Sequence, residues 1–141
     1  MDWITQLHQL SNFPTAELLK FARRREIRFE YSRFDKKGGV QAVTNSEGKL
    51  IGLVVNINPD QSRIELEVTL IHELFHIVLG SGHPKGQYMV KFLDDLMYRF
   101  LEAKLDEASY RFREKHPEFV KKLFDTYLGK YKTPERLAAR T

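Results

Sequence analysis

The stretch from Ser62 to Leu79 constrains the fold more than any other. Plotted as a helix with His72 at zero, Ile64, Leu66, Val68, Leu70, Ile71, Leu74, Phe75, Ile77, Val78 and Leu79 spread over roughly 120° through 340°, nearly the whole circumference. A helix apolar on so many sides must be covered by other elements all round, so the domain has to be built about it. The remaining sector holds His72, Glu65, His76, Thr69 and Glu73, a narrow polar stripe on an otherwise internal rod. Uncompensated burial of such groups costs on the order of several kcal/mol, and a divalent cation facing a cleft is the simplest compensating partner. Ser62 has the chemistry of an N-cap, and Gly80-Ser81-Gly82 ends the run.

The flanks supply what covers it. Trp3, Ile4, Leu7 and Leu10 recur at helical spacing, and a second helix starts at Thr15 and carries Leu18, Leu19 and Phe21 up to the solvated triplet Arg23-Arg24-Arg25. Ile27 to Phe34 alternates with period two, as in a half-buried strand, and the turn residues Lys37-Gly38-Gly39 follow it. Gly39 to Val43 and Leu50 to Ile57 read as two more strands joined by Asn45-Ser46-Glu47-Gly48, which has hairpin composition. A long helix is expected over residues 87–115, with Leu101, Leu105, Ala108 and Phe112 on its core side. Another begins at His116-Pro117 and carries Phe119, Val120, Leu123, Phe124 and Tyr127, ending at Gly129. The expected fold is α+β: one domain over residues 1–141, with N-terminal helices in 1–25 and a small three-stranded antiparallel sheet in 26–58. The buried helix at 62–79, the long helix at 87–115 and a C-terminal helix with a basic tail at 117–141 complete it.

At 141 residues and 42% hydrophobic, the chain is large enough for a real core. No apolar run approaches the roughly 20 residues of a membrane span. The first residues lack the basic cluster, apolar core and cleavage site of a secretory signal, so a cytoplasmic location is expected. Zero cysteines remove disulfide scaffolds, thiolate metal sites and cysteine nucleophiles, leaving histidine and carboxylate as the strong metal ligands. The net charge of +4 is concentrated at the end of the chain, where residues 111–141 hold nine Lys and Arg against four Asp and Glu. That segment lacks aromatic interleaving and phosphate-binding motifs, so direct nucleic-acid binding is not expected and a frayed tail is favoured over a dock for an acidic partner.

The polar stripe contains His72-Glu73-Leu74-Phe75-His76, an H-E-x-x-H pattern. Residues four apart on a helix lie about 40° apart in projection, so both imidazoles can reach one ion at about 2.0 Å from each nitrogen. Glu73 lies 100° from His72 and is available as general base toward a water polarised by that ion. Zinc in such a site needs a third protein ligand and keeps one open position. His83 is one candidate, but the spacing from His76 to Gly80 is one residue longer than in three-histidine peptidases. The better candidate is Glu102, in Glu102-Ala103-Lys104-Leu105-Asp106. Glu102 and Asp106 share a helix face, so one can bind metal while the other accepts the second ring N–H of a ligand histidine. Glu107 projects 140° away from Glu102 and does not serve from the same face.

The run Gly52-Leu53-Val54-Val55-Asn56-Ile57-Asn58-Pro59, followed about ten residues later by Thr69-Leu70-Ile71-His72-Glu73-Leu74-Phe75-His76-Ile77-Val78-Leu79, resembles the ImmA/IrrE family of metallopeptidases over roughly Ile27 to Phe112. Its later motif resembles E-x-x-A-[ND]-x-F-A, and the nearest match is Glu102 to Ser109, with Leu105 in place of Ala and Ala108 in place of Phe. The resemblance implies a zincin-like fold, zinc as cofactor and a glutamate from a later helix as ligand. It also implies a protein substrate, often a transcriptional repressor or related regulator. No additional DNA-binding domain is evident. The expected activity is zinc-dependent peptide hydrolysis, with His72, His76 and Glu102 as metal ligands and Glu73 as catalytic base. His83, Tyr88 or Tyr98 could donate to the oxyanion, and the edge of the Leu50–Ile57 strand is expected to pair with an extended substrate. The alternative is a non-catalytic metal-binding or protein-interaction module that keeps the same fold.

Overall fold

The structure is a computed structural model and describes residues 3–79 and 91–129. Two short helices open the chain, α1 (Trp3–Gln9) and α2 (Thr15–Ala22), with a single 3-10 turn at Leu10–Asn12 between them. Three strands follow, β1 (Ile27–Tyr31), β2 (Gly38–Thr44) and β3 (Leu50–Ile57). Helices α3 (Arg63–Leu79), α4 (Lys91–Lys115) and α5 (Pro117–Tyr127) complete the described elements. None of the described helices is long and apolar enough to cross a membrane.

The α3 helix is the centre of the molecule, as its wheel requires: α1, α2, α4, α5, β2 and β3 all pack on it. Ser62 caps it, its Oγ accepting the Glu65 N–H at 3.2 Å. Leu66, Leu70, Ile71, Leu74 and Phe75 are fully buried. Phe75 lies in a run of edge-on aromatic contacts, 6.4 Å from Phe13 and 5.6 Å from Phe112, with Phe112 6.1 Å from Phe119. The core side of α4 is Leu101, Leu105, Ala108 and Phe112, and α5 contributes Val120, Leu123 and Phe124, with Pro117 in its first turn. One buried polar residue breaks the apolar arc of α3. Glu67 is buried there, satisfied by Arg63 Nε at 2.7 Å and Arg113 Nε at 2.9 Å, and Arg63 reaches on to Asp125 at 2.8 Å. This network ties α3 to α4 and α5.

The sheet is mixed rather than antiparallel, with strand order β1-β3-β2. β2 and β3 form the expected hairpin, turning through Asn45–Lys49 with Gly48 at φ 80°, where Asn45 Oδ1 accepts the N–H groups of Glu47 and Lys49. β1 pairs with β3 in parallel, Ile27 opposite Leu53 through Tyr31 opposite Ile57. The segment 32–37 does not close a hairpin between β1 and β2. It crosses about two strand spacings, roughly 10 Å, and leaves a slot that β3 fills. Asn58 pins this crossover, donating through Nδ2 to the carbonyls of Phe34 (2.8 Å) and Lys36 (3.1 Å). With β1 on one side and β2 on the other, β3 has no free edge to offer a substrate, contrary to the expectation from sequence. Among the described residues the sheet's open edges are the outer sides of β1 and β2, and it is β2 whose first residue lies beside Thr69 and Glu73 of α3.

Candidate metal centre

Two i,i+4 pairs face one another across the α3–α4 packing. On α3, His72 and His76 have ring centroids 5.0 Å apart. On α4, Glu102 and Asp106 occupy consecutive turns of one face. Glu102 spans both rings: Oε2 lies 2.8 Å from His72 Nε2 and Oε1 lies 2.7 Å from His76 Nε2. Asp106 Oδ1 is 2.7 Å from His72 Nδ1, on the far side of the same ring. Nδ1–H therefore donates to Asp106, which fixes the ring orientation and turns Nε2 toward the common point. Burial alone would depress the His72 pKa, but the hydrogen bonds its ring donates to Asp106 and Glu102 outweigh it and lift the imidazole to about 10. Burial pushes Glu102 the other way, yet its bonds to His72 and His76 dominate and hold the carboxyl well below the usual range.

This donor set fits a metal ion. The ligand atoms of His72, His76 and Glu102 all lie within 4.8 Å of one another. Ligands about 2.0 Å from a tetrahedral ion stand about 3.3 Å apart, so small side-chain shifts convert the hydrogen-bonded cluster into a coordination shell. Two imidazoles and one carboxylate are a donor set that could hold a divalent cation.

Glu73 is buried beside this cluster, one residue on from His72. Burial raises its pKa, opposed by His72 and His76 and assisted by the negative charges of Glu102 and Asp106. Of the tandem glycines read from sequence as turn residues, Gly38 belongs to the structure of the site. Gly38 opens β2, and a Cβ there would fall 2.7 Å from Thr69 Cγ2 and 3.1 Å from Glu73 Oε2. Only a glycine lets the strand approach so closely. The Asn58 N–H donates to the Lys37 carbonyl at 2.8 Å, which makes residues 37 and 58 a hydrogen-bonded pair of the ladder. By alternation down the register, Gly38, Val40 and Ala42 turn their own N–H and C=O groups to the open edge.

Of the other residues singled out in the sequence, Glu107 stays outside the site and pairs with Lys104 and Arg111. Tyr98 lies one turn before Glu102 and is half-exposed; burial and the nearby Glu102 carboxylate raise its pKa. His83 and Tyr88 lie outside the described residues. Gln61, which the sequence does not distinguish from other loop residues, bonds both to the lead-in of β2 and to Thr69 on α3. No family model matches the chain, and no curated protein and no solved structure matches it either.

Proposed function

We propose that the chain is a zinc-dependent endopeptidase with a zincin-like site that cleaves a regulatory protein such as a transcriptional repressor. The reading rests on one observation above all: His72 Nε2, His76 Nε2 and the Glu102 carboxylate converge from two helices beside the buried carboxyl of Glu73. When bound, the cation supplies Lewis-acid polarisation of the scissile carbonyl and acidifies the attacking water. Glu73 takes a proton from that water as its oxygen bonds to the carbonyl carbon, and returns it to the amine as the C–N bond breaks. A carboxyl raised by burial suits this task, because it accepts a proton more readily than an exposed one. Asp106 keeps His72 in the tautomer that leaves Nε2 free to coordinate. Tyr98 is close enough to Glu102 to donate to a developing oxyanion at the rim of the site.

An extended substrate segment would add to the outer edge of β2, meeting the outward N–H and C=O groups of Gly38 and Val40 next to Glu73. Main-chain pairing of this kind gives affinity with little side-chain selectivity. The assignment of a regulatory protein as substrate follows from the ImmA/IrrE resemblance. Metal analysis of the purified chain beside His76→Ala and Glu102→Ala tests the site, with about one zinc per molecule expected for the unaltered protein and loss in both variants. Glu73→Gln should retain the metal and lose cleavage of a partner. Biological activity that survives Glu73→Gln would instead mark a non-catalytic metal-binding module.

A further inference from the structure

The Gln61 side chain is fully engaged. Its Nε2 donates to the Lys37 carbonyl at 3.0 Å and the Asn58 carbonyl at 2.7 Å, and its Oε1 accepts the Thr69 hydroxyl at 2.8 Å. Two carbonyl acceptors on one side and a hydroxyl donor on the other fix the amide orientation. Lys37 immediately precedes β2, Asn58 immediately follows β3, and Thr69 is buried on α3 one turn before Glu73. One amide therefore joins the entry of the open-edge strand to the turn of helix that carries the candidate base. The steric fit of Gly38 against Thr69 and Glu73 lies at the same junction. β2 is paired along one edge only and enters the sheet from a crossover; Asn58 also holds that entry, its N–H donating to the Lys37 carbonyl, and Lys37 pairs with Glu65, but Gln61 is the side chain that carries the bond on to Thr69.

We infer that Gln61 is a positioning residue: by tying the lead-in of β2 to Thr69, it sets the height of the outward peptide groups of Gly38 and Val40 over Glu73. The inference deepens the peptidase reading and rests on it. A displacement of about 1 Å between a bound segment and the reacting groups is enough to lower catalysis about a hundredfold, so a clamp at this point governs how an edge-bound chain meets the metal site.

Two zinc-directed probes separate the clamp from the metal. Acetohydroxamate engages the ion alone, whereas a succinyl hydroxamate with a Leu-Phe amide tail also pairs with a strand edge. On zinc-loaded protein, Gln61→Leu and Thr69→Val should weaken the tailed hydroxamate about tenfold or more while leaving acetohydroxamate affinity and zinc content unchanged. Thr69→Ser, which keeps the hydroxyl, should retain tight binding. Hydrogen exchange gives a readout independent of the probes: the Gly39 amide, in the hydrogen-bonded pair after Lys37, should lose protection in the first two variants while that of Gln41 holds. Should Gln61→Leu fail to fold, Thr69→Val, which exchanges one hydroxyl for a methyl, carries the comparison. Equal affinities for the tailed probe in all four proteins would overturn the inference. So would parallel loss of both probes with loss of zinc, which would mean that Gln61 only supports the fold. An unaltered protein that gains nothing from the tail would remove the edge from recognition and overturn the inference while leaving the metal site standing. An unaltered protein that takes up no zinc would defeat the peptidase reading itself.

Discussion

Metal uptake should be in direct competition with a proton on His72. In the metal-free protein the imidazole has a pKa of about 10, because Asp106 and Glu102 hold both ring nitrogens as donors against the penalty of burial. A cation can use Nε2 only after the proton there has left. At pH 7 the ring is three pH units below its pKa, so displacement opposes binding by a factor of about a thousand, or about 4 kcal/mol. The ring is only 8% exposed, so solvent does little to dilute the effect. Structural zinc sites gain about 10–16 kcal/mol, so binding survives the competition but becomes steeply pH-dependent. Glu102 stays ionised above pH 5 and takes up no proton in this range. Apparent zinc affinity should therefore rise about tenfold per pH unit from pH 6 to 8, with one proton released from His72 for each ion bound. Competition against a chelator across that range gives the slope, and calorimetry in two buffers of different ionisation enthalpy counts the proton. An affinity flat with pH, with no buffer-dependent heat, would refute the reasoning.

The same pair sets the stability of the metal-free chain. The folded pKa of His72 is raised above 6.5, so its contribution is fully present below about pH 6.5 and lost as pH rises through about 10. Glu102 is lowered, so its contribution is present above about pH 4.5 and lost as pH falls toward its folded value. Urea midpoints should peak between those limits without zinc; a midpoint that climbs steadily toward pH 9 would contradict this. Asp106→Asn should weaken zinc binding about 10- to 100-fold by unsettling the His72 ring, and unchanged affinity would show that the carboxylate does not orient it. Glu67→Ala leaves Arg63 and Arg113 facing a vacated buried position, and as both guanidiniums are partly exposed, the loss should be at the low end, about 3 kcal/mol in denaturant unfolding. A loss under 1 kcal/mol would make the network incidental. Phe75→Ala opens a cavity between Phe13 and Phe112 and should destabilise by about 3–5 kcal/mol, a range that thermal unfolding can check.

How much of this was legible in the sequence depends on how local the signal is. The α3 helix was readable because burial on nearly every side leaves a periodic trace, and the pairing of Glu102 with Asp106 was readable because helix faces repeat every three to four residues. The role of Glu67 is not legible in the sequence for a related reason: the wheel puts it within the apolar arc, but its partners Arg63 and Arg113 stand on an adjacent turn and on a distant helix, and no period links the latter. Strand segments were equally visible, Leu50–Ile57 most clearly, but their order was not. Alternation reports which face of a strand is buried and says nothing about which neighbour it pairs with. A six-residue link such as 32–37 can close a loop between adjacent strands or step over one, and the contacts that hold it in the second course come from residues twenty or more positions away: Asn58 on the carbonyls of Phe34 and Lys36, and Gln61 on that of Lys37.

That undecided step changes the chemistry. In an antiparallel meander β2 would be central and β3 would be the edge. In the mixed sheet β3 is sealed on both sides, and the open edges are those of β1 and β2; of these, β2 begins at Gly38, where a Cβ would fall 3.1 Å from the carboxylate of Glu73. Gly38 then has a physical requirement that a turn does not explain. Neither Gly38 nor Gly39 has the positive φ that makes glycine obligatory in a turn, and Gly48 is the only described glycine that has one. What Gly38 supplies is the absence of a Cβ where Thr69 and Glu73 already stand. Gly38→Ala should therefore act on the relation between strand and helix, lowering affinity for a strand-like ligand while leaving zinc bound at His72, His76 and Glu102. A residue that mattered only as a turn former would leave that affinity intact.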